Sequence, residues 1–138
     1  MSYTSFSGDE FSAFREIQDK RPLNMLNLVK VYKEVEYPDG EMISGLEAYK
    51  RYGRLSFPVF EKLGGKIIWR GEMLFSLIGP SEEKWDFSFI AEYPSIGAFV
   101  SMLKDPDYRE AMKHRQLAVK DSRLIRMAPL SRGKNFSE

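Results

Sequence analysis

The chain has 138 residues, 43% of them hydrophobic and 30% charged, with one His, no Cys and a formal charge of +1. No Cys excludes disulfides, thiolate nucleophiles and Cys-based zinc or iron–sulfur sites, and one His excludes an HExxH pair or a His-rich metal cage within a single chain. The near-neutral balance argues against a surface built for nucleic-acid backbone or anionic membrane, and the length suits one domain over residues 1–138.

The opening MSYTSFSGDEF has no basic n-region and no apolar h-region, so it does not read as a signal peptide. No apolar run reaches the ~20 residues of a membrane helix. The expected protein is soluble and cytoplasmic, with no membrane partner. Residues 104–134 are locally basic, but Asp105, Asp107, Glu110 and Asp121 interrupt the run, which reads as a solvated mixed face.

Ser7–Gly8–Asp9–Glu10 is a capping box, with Phe6 and Phe11 placed as a hydrophobic staple, and it predicts a helix over residues 8–18. Arg21–Pro22 breaks that helix. Leu23 to Tyr32 is rich in Leu, Val and Met and reads as the first strand. Pro38–Asp39–Gly40 signals a turn inside a small hairpin. Ser44–Gly45–Leu46–Glu47 is a second capping box. Leu46, Tyr49, Tyr52, Phe57, Phe60 and Leu63 follow at helical spacing. Pro58 should kink this helix, and Gly64–Gly65 should end it.

Lys66 to Ile78 reads as a long strand with Gly71 as a bulge, and Trp85 to Tyr93 as its hairpin partner. Setting Ile78 opposite Lys84 pairs Phe75 with Phe87, Met73 with Phe89 and Trp69 with Tyr93 on an aromatic face. The same register places Arg70 opposite Glu92, Leu74 opposite Ser88 and Ser76 opposite Asp86 on a mixed face. A one-residue slip at Gly71 would exchange the faces. Ser95 caps a short helix, and Asp105–Pro106 starts another that reaches about Val119, with Tyr108, Ala111, Met112 and Arg115 in its stripe. Ser122 to Ala128 is the last strand. The tail at residues 131–138 is polar and expected to be mobile. The order is β-α-β-β-α-β behind an N-terminal helix, a ferredoxin-like α+β layout over residues 21–129.

Several short motifs, in order, resemble a known family. They are Met25–Leu26–Asn27–Leu28, Tyr49 with Tyr52, Gly64–Gly65, Trp69–Arg70–Gly71, Trp85–Asp86, Tyr93–Pro94–Ser95, Asp105–Pro106–Asp107–Tyr108, His114–Arg115 and Asp121–Ser122–Arg123–Leu124. Together they resemble the uncharacterised domain-of-unknown-function family 1330. The resemblance implies a dimeric α+β barrel in which two ferredoxin-like sheets pack face to face. Relatives with that barrel include cofactor-independent oxygenases, lactone isomerases and haem proteins, while the family itself has no settled activity. The mixed sheet face, with Ile68, Leu74 and Ile90 beside polar residues, independently asks for a partner, and a two-fold homodimer is the commonest solution.

Two residues are candidates for catalysis. His114 is the one side chain whose ordinary pKa suits proton transfer near neutrality. Asp86, if semi-buried, would act as a base; its other reading is to end the hairpin. Arg70 would hold an anionic or carbonyl group, or else pair with Glu92. Ser88 and Glu92 share that face. Asn24 and Asn27 interrupt an apolar strand and need partners, either across the strands or on a ligand. Tyr49 and Tyr52 lie close on one helix, as core residues or as ligand contacts.

No GxSxG elbow supports a serine triad. RNA recognition motifs share this strand order, but Asn24 stands where the stacking aromatic is needed, and Asp86 and Glu92 would repel phosphate. No cofactor and no metal are expected. The composite expectation is a small-molecule-binding homodimer, with room for an enzyme of the cofactor-independent oxygenase or isomerase type. The alternative is a non-catalytic dimerisation or interaction module.

Overall fold

The structure, a computed structural model, describes residues 2–138; Met1 lies outside them. The elements run α1 Gly8–Glu16, β1 Leu23–Val31, β2 Glu34–Glu36, β3 Met42–Ser44, α2 Gly45–Lys62, β4 Lys66–Gly71, β5 Phe87–Tyr93, α3 Ile96–Lys104, α4 Pro106–Ala118 and β6 Val119–Met127. The main sheet has the order β4-β5-β1-β6, antiparallel at every pairing, and β2 and β3 form a separate hairpin. This is the ferredoxin-like arrangement of an α+β protein.

Local chemistry sets the helix ends. Ser7 Oγ accepts from the Glu10 amide at 3.1 Å, Glu10 accepts from the Ser7 amide at 2.9 Å, and the Phe6 and Phe11 rings stack with centroids 5.3 Å apart. At α2 only half of the expected box forms. Ser44 Oγ accepts from the Glu47 amide, but the Glu47 carboxylate turns to Arg54 at 2.8 Å. The helix continues through Pro58. It ends in a Schellman motif: Gly64, at φ +85°, donates to the Glu61 carbonyl and Gly65 to the Phe60 carbonyl. Asp105 caps α4 by accepting from the Asp107 and Tyr108 amides, with Pro106 at the first position.

The core lies between the sheet and the helices. Leu23, Met25, Val29 and Val31 of β1 and Ala91 and Tyr93 of β5 pack against Ala48, Tyr49, Val59 and Phe60 of α2, Phe99 and Met102 of α3, and Tyr108 and Ala118 of α4. The N-terminal segment runs back to β6. The Tyr3 amide donates to Asp121 at 2.8 Å, Ser122 Oγ donates to the Tyr3 carbonyl at 2.7 Å, and Arg115 donates to the Thr4 carbonyl at 3.0 Å.

The long fourth strand is corrected. β4 stops at Gly71, and residues 72–86 form neither strand nor helix. The register irregularity falls between Ile67 and Trp69, not at Gly71. Arg70 faces Phe89 where the expected partner was Glu92, a displacement of 92 − 89 = 3 residues. An odd displacement exchanges the sheet faces. Trp69 therefore faces Ile90, not Tyr93, while Met73 accepts the Trp85 amide on its sulfur at 3.3 Å. Phe75 does not reach Phe87 and projects into solvent.

Candidate functional site

Cross-strand rows decide which side chains can meet. On the helix side, one row runs Arg70–Phe89–Asn27–Leu124 and the next Ile67–Ala91–Met25–Arg126. On the outer side, the rows run Trp69–Ile90–Leu26–Ile125, Gly71–Ser88–Leu28–Arg123 and Lys66–Glu92–Asn24–Met127.

A cavity of about 670 Å³ opens between the helix side of the sheet and the helices. That volume is in the range of small-molecule sites. Asn27, Arg70, Tyr49 and Tyr52 line it together. Arg70 is exposed, as are Phe57 and Ile67 of the same lining. Asn27 Nδ2 donates to the Met25 carbonyl at 3.0 Å. Its own carbonyl oxygen is left as an acceptor.

The walls are aromatic. Tyr49 lies over Phe87 with ring centroids 4.6 Å apart, and Phe60, Tyr93 and Phe99 form an edge-to-face series at 5.1–5.2 Å. Tyr52 and Tyr108 share a hydrogen bond of 2.8 Å between their hydroxyls. Burial pushes the phenols of Tyr49, Tyr52, Tyr93 and Tyr108 above their ordinary pKa, so they stay protonated at neutral pH. The Arg115 charge acts on Tyr49, Tyr52 and Tyr108 in the opposite direction and is outweighed. Arg115 and Tyr108 line the cavity and were not singled out as site residues from the sequence. The signal was an arginine inside the apolar stripe of α4, seven positions from Tyr108 and so nearly two turns along the same face.

The remaining candidates lie elsewhere. Asn24, Ser88 and Glu92 are on the outer side of the sheet, so the expected Arg70–Glu92 pair does not form. Asn24 is buried and its Oδ1 finds no hydrogen-bond partner among the described residues. Asp86 does not line the cavity. Its carboxylate accepts the Val31 amide at 2.8 Å while its own amide donates to the Val29 carbonyl at 2.7 Å, which ties the entry of β5 to β1.

His114 also lies outside the cavity. Its Nδ1 is 2.6 Å from the Tyr37 hydroxyl, and Arg51 lies over the Tyr37 ring while pairing with Glu41 at 2.9 Å. Desolvation, then the Arg51 charge, lowers the imidazole pKa, and Glu110 opposes them. The cluster fastens the β2–β3 hairpin to α4 and α2. Among the described residues no group of three His, Asp or Glu side chains is placed to hold a metal ion. No described helix is long and apolar enough to cross a membrane.

A ferredoxin-like sheet with an aromatic-lined cavity between it and the helices defines the class of protein. The sequence profile of the domain-of-unknown-function family DUF1330 matches residues 42–127, and the chain belongs to that family. It is similar to RPA0582, a protein of unknown function from Rhodopseudomonas palustris, at 52% identity over 96% of this chain and 100% of that one, with a TM-score of 0.90. Two more distant structures share the fold alone. SnoaB, a cofactor-independent oxygenase from Streptomyces nogalater, is 12% identical over 83% of this chain and 99% of its own, with a TM-score of 0.53. A dimeric protein of unknown function with a ferredoxin-like fold from Bacteroides fragilis is 12% identical over 78% and 95%, with a TM-score of 0.50. No curated protein matches the chain in sequence.

Proposed function

We propose that this protein binds a small organic molecule in the cavity between sheet and helices, and does so as a homodimer. The observation that carries the reading is the cavity itself: about 670 Å³ of space inside a small fold, with aromatic walls and several polar groups converging on it. Its lining leaves the large apolar side chains of Phe57 and Ile67 exposed in the free protein, and such a concave apolar surface with a few polar groups is what a small-molecule site offers. A cofactor-independent enzyme, of the kind named for the Streptomyces nogalater neighbour, would use the same cavity. The groups touching its substrate would then be Tyr49, Tyr52, Asn27, Arg70 and Arg115, with His114 and Asp86 in supporting positions.

The homodimer is supported by a different surface. The row Trp69–Ile90–Leu26–Ile125 makes an apolar band across all four strands on the side no helix covers. In the segment that follows β4, Leu74, Phe75, Leu77 and Ile78 are 85%, 81%, 86% and 94% exposed in the single chain. A second copy of the chain can bury both.

Methionine methyl NMR tests the cavity. Met25, Met102 and Met112 line it, whereas Met42 and Met73 do not. A fragment screen should find aromatic compounds that shift the first three signals and leave Met42 in place. Gly53 lines the cavity, and a Cβ added there would meet no neighbouring atom within 4 Å. Gly53→Trp should therefore take up part of the space and weaken those shifts. Shifts undiminished in Gly53→Trp would overturn the reading.

A further inference from the structure

The polar groups in the cavity are not a balanced set, and the imbalance identifies a ligand. Tyr52 and Tyr108 carry two hydroxyl protons and share one hydrogen bond. One proton of the pair is therefore left to donate, and both residues line the cavity. Tyr49 is a buried residue whose hydroxyl has no hydrogen-bond partner among the described residues, yet it is not among the sealed, unpartnered polar atoms. Its oxygen therefore meets the cavity's open space. Burial keeps all three phenols protonated, which makes them donors.

Arg115 stands with them. One of its nitrogens donates to the Thr4 carbonyl at 3.0 Å. A guanidinium carries five N–H donors, so the fork retains others. The carboxylate in the lining, Glu10, is held in the cap of α1 by the Ser7 amide at 2.9 Å. The polar end thus offers N–H and O–H donors and a positive charge, with no carboxylate free to neutralise it. Around it stand Phe57, Phe60, Phe87 and Phe89, whose rings suit a flat partner.

We propose that the ligand is an aromatic molecule bearing one anionic oxygen group, a carboxylate or an ionised enol or phenol, received by Arg115, Tyr49 and the Tyr52–Tyr108 pair. This rests on the cavity-binding reading above and adds the chemical class. An anionic oxygen supplies acceptors for the unmatched donors, and a guanidinium binds such groups through charge-assisted hydrogen bonds. A neutral aromatic would leave the donors unpaired in a desolvated place, which is costly.

Calorimetry with two matched probes tests the class. 2-Naphthoate should bind at least tenfold more tightly than 2-naphthalenemethanol. Arg115→Gln should remove most of that preference, and Arg115→Lys, which keeps the charge, should restore part of it. Tyr49→Phe should weaken naphthoate and leave the alcohol nearly unchanged. Equal affinity for the two probes, weakened by Gly53→Trp, would overturn the anionic class and leave the cavity reading standing. Naphthoate binding undiminished by Gly53→Trp would overturn both. No binding of naphthoate would overturn the class, with the methionine signals then judging the cavity separately.

Discussion

The arm after β4 allows a quantitative test of self-association. Leu77 is almost fully exposed in the single chain, as are Leu74, Phe75 and Ile78. Burying one such side chain stabilises a complex by roughly 1.5–3 kcal/mol. In a two-fold dimer each substitution acts twice. Leu77→Asp should therefore cost the dimer about 3–6 kcal/mol, which raises its Kd by about 10²–10⁴-fold. The fold of each subunit should survive, because the side chain supports nothing within its own chain. Sedimentation equilibrium at micromolar concentration measures the effect, with circular dichroism as the check on folding. Ser81→Asp adds the same charge at another exposed position of the same segment and should change little. A wild-type monomer at micromolar concentration would refute the reasoning. So would a Leu77→Asp protein as dimeric as the wild type.

Three further substitutions probe the scaffold. A Cβ at Gly45 would overlap the backbone carbonyl of Tyr32, which cannot give way as a flexible side chain would, so Gly45→Ala should lower stability by about 1–3 kcal/mol in urea unfolding. Asp86→Ala leaves the Val31 amide without its acceptor and should cost roughly 1–2 kcal/mol, with affinity for a cavity ligand retained; loss of binding without loss of stability would instead place Asp86 at the site. The folded His114 pKa lies below its ordinary 6.5, so the unfolded chain binds the proton more readily. The stabilisation is present above pH 6.5 and is lost as pH falls from there through the folded value. His114→Gln should flatten that part of a melting-temperature profile, and an unchanged slope would show that other groups set it.

Much of the fold was legible because its determinants are local. The Ser7–Glu10 box, the Gly64–Gly65 terminator and the Asp105–Pro106 start each act within a few residues, and each is found where the pattern placed it. The fourth strand was misread for a physical reason. Leu74, Phe75, Leu77 and Ile78 have the composition of a buried strand, but they have no sheet neighbour in their own chain. Strand propensity records a preference for a half-buried surface, and in the proposed dimer a second copy would supply such a surface. The second capping box failed by half because Arg54, two turns along the helix, competes for Glu47.

The lining of the candidate site was legible residue by residue and not as a set. Asn27, Arg70, Tyr49 and Tyr52 were all noticed, yet alternation alone could not say which asparagine faces the helices or which way Arg70 points. One irregularity between Ile67 and Trp69 decides the second question. Without it, Arg70 would lie on the outer side, where the apolar band would surround its charge. With it, Arg70 shares a row with Phe89 and Asn27. The bulge thus does two things at once: it removes a cation from the face proposed for pairing and adds one to the cavity lining. A change of register above the bulge would therefore couple the two properties. Deleting Ile68 removes only the extra residue and leaves Trp69 opposite Ile90 and Arg70 opposite Phe89, so self-association and the preference for an anionic probe should both persist. Inserting one Ala between Trp69 and Arg70 instead sets Arg70 opposite Ser88 on the outer side, and should weaken self-association and lower the preference for an anionic probe in the same protein. If only one of the two changed in the insertion protein, the register would not be what links the sheet's two faces.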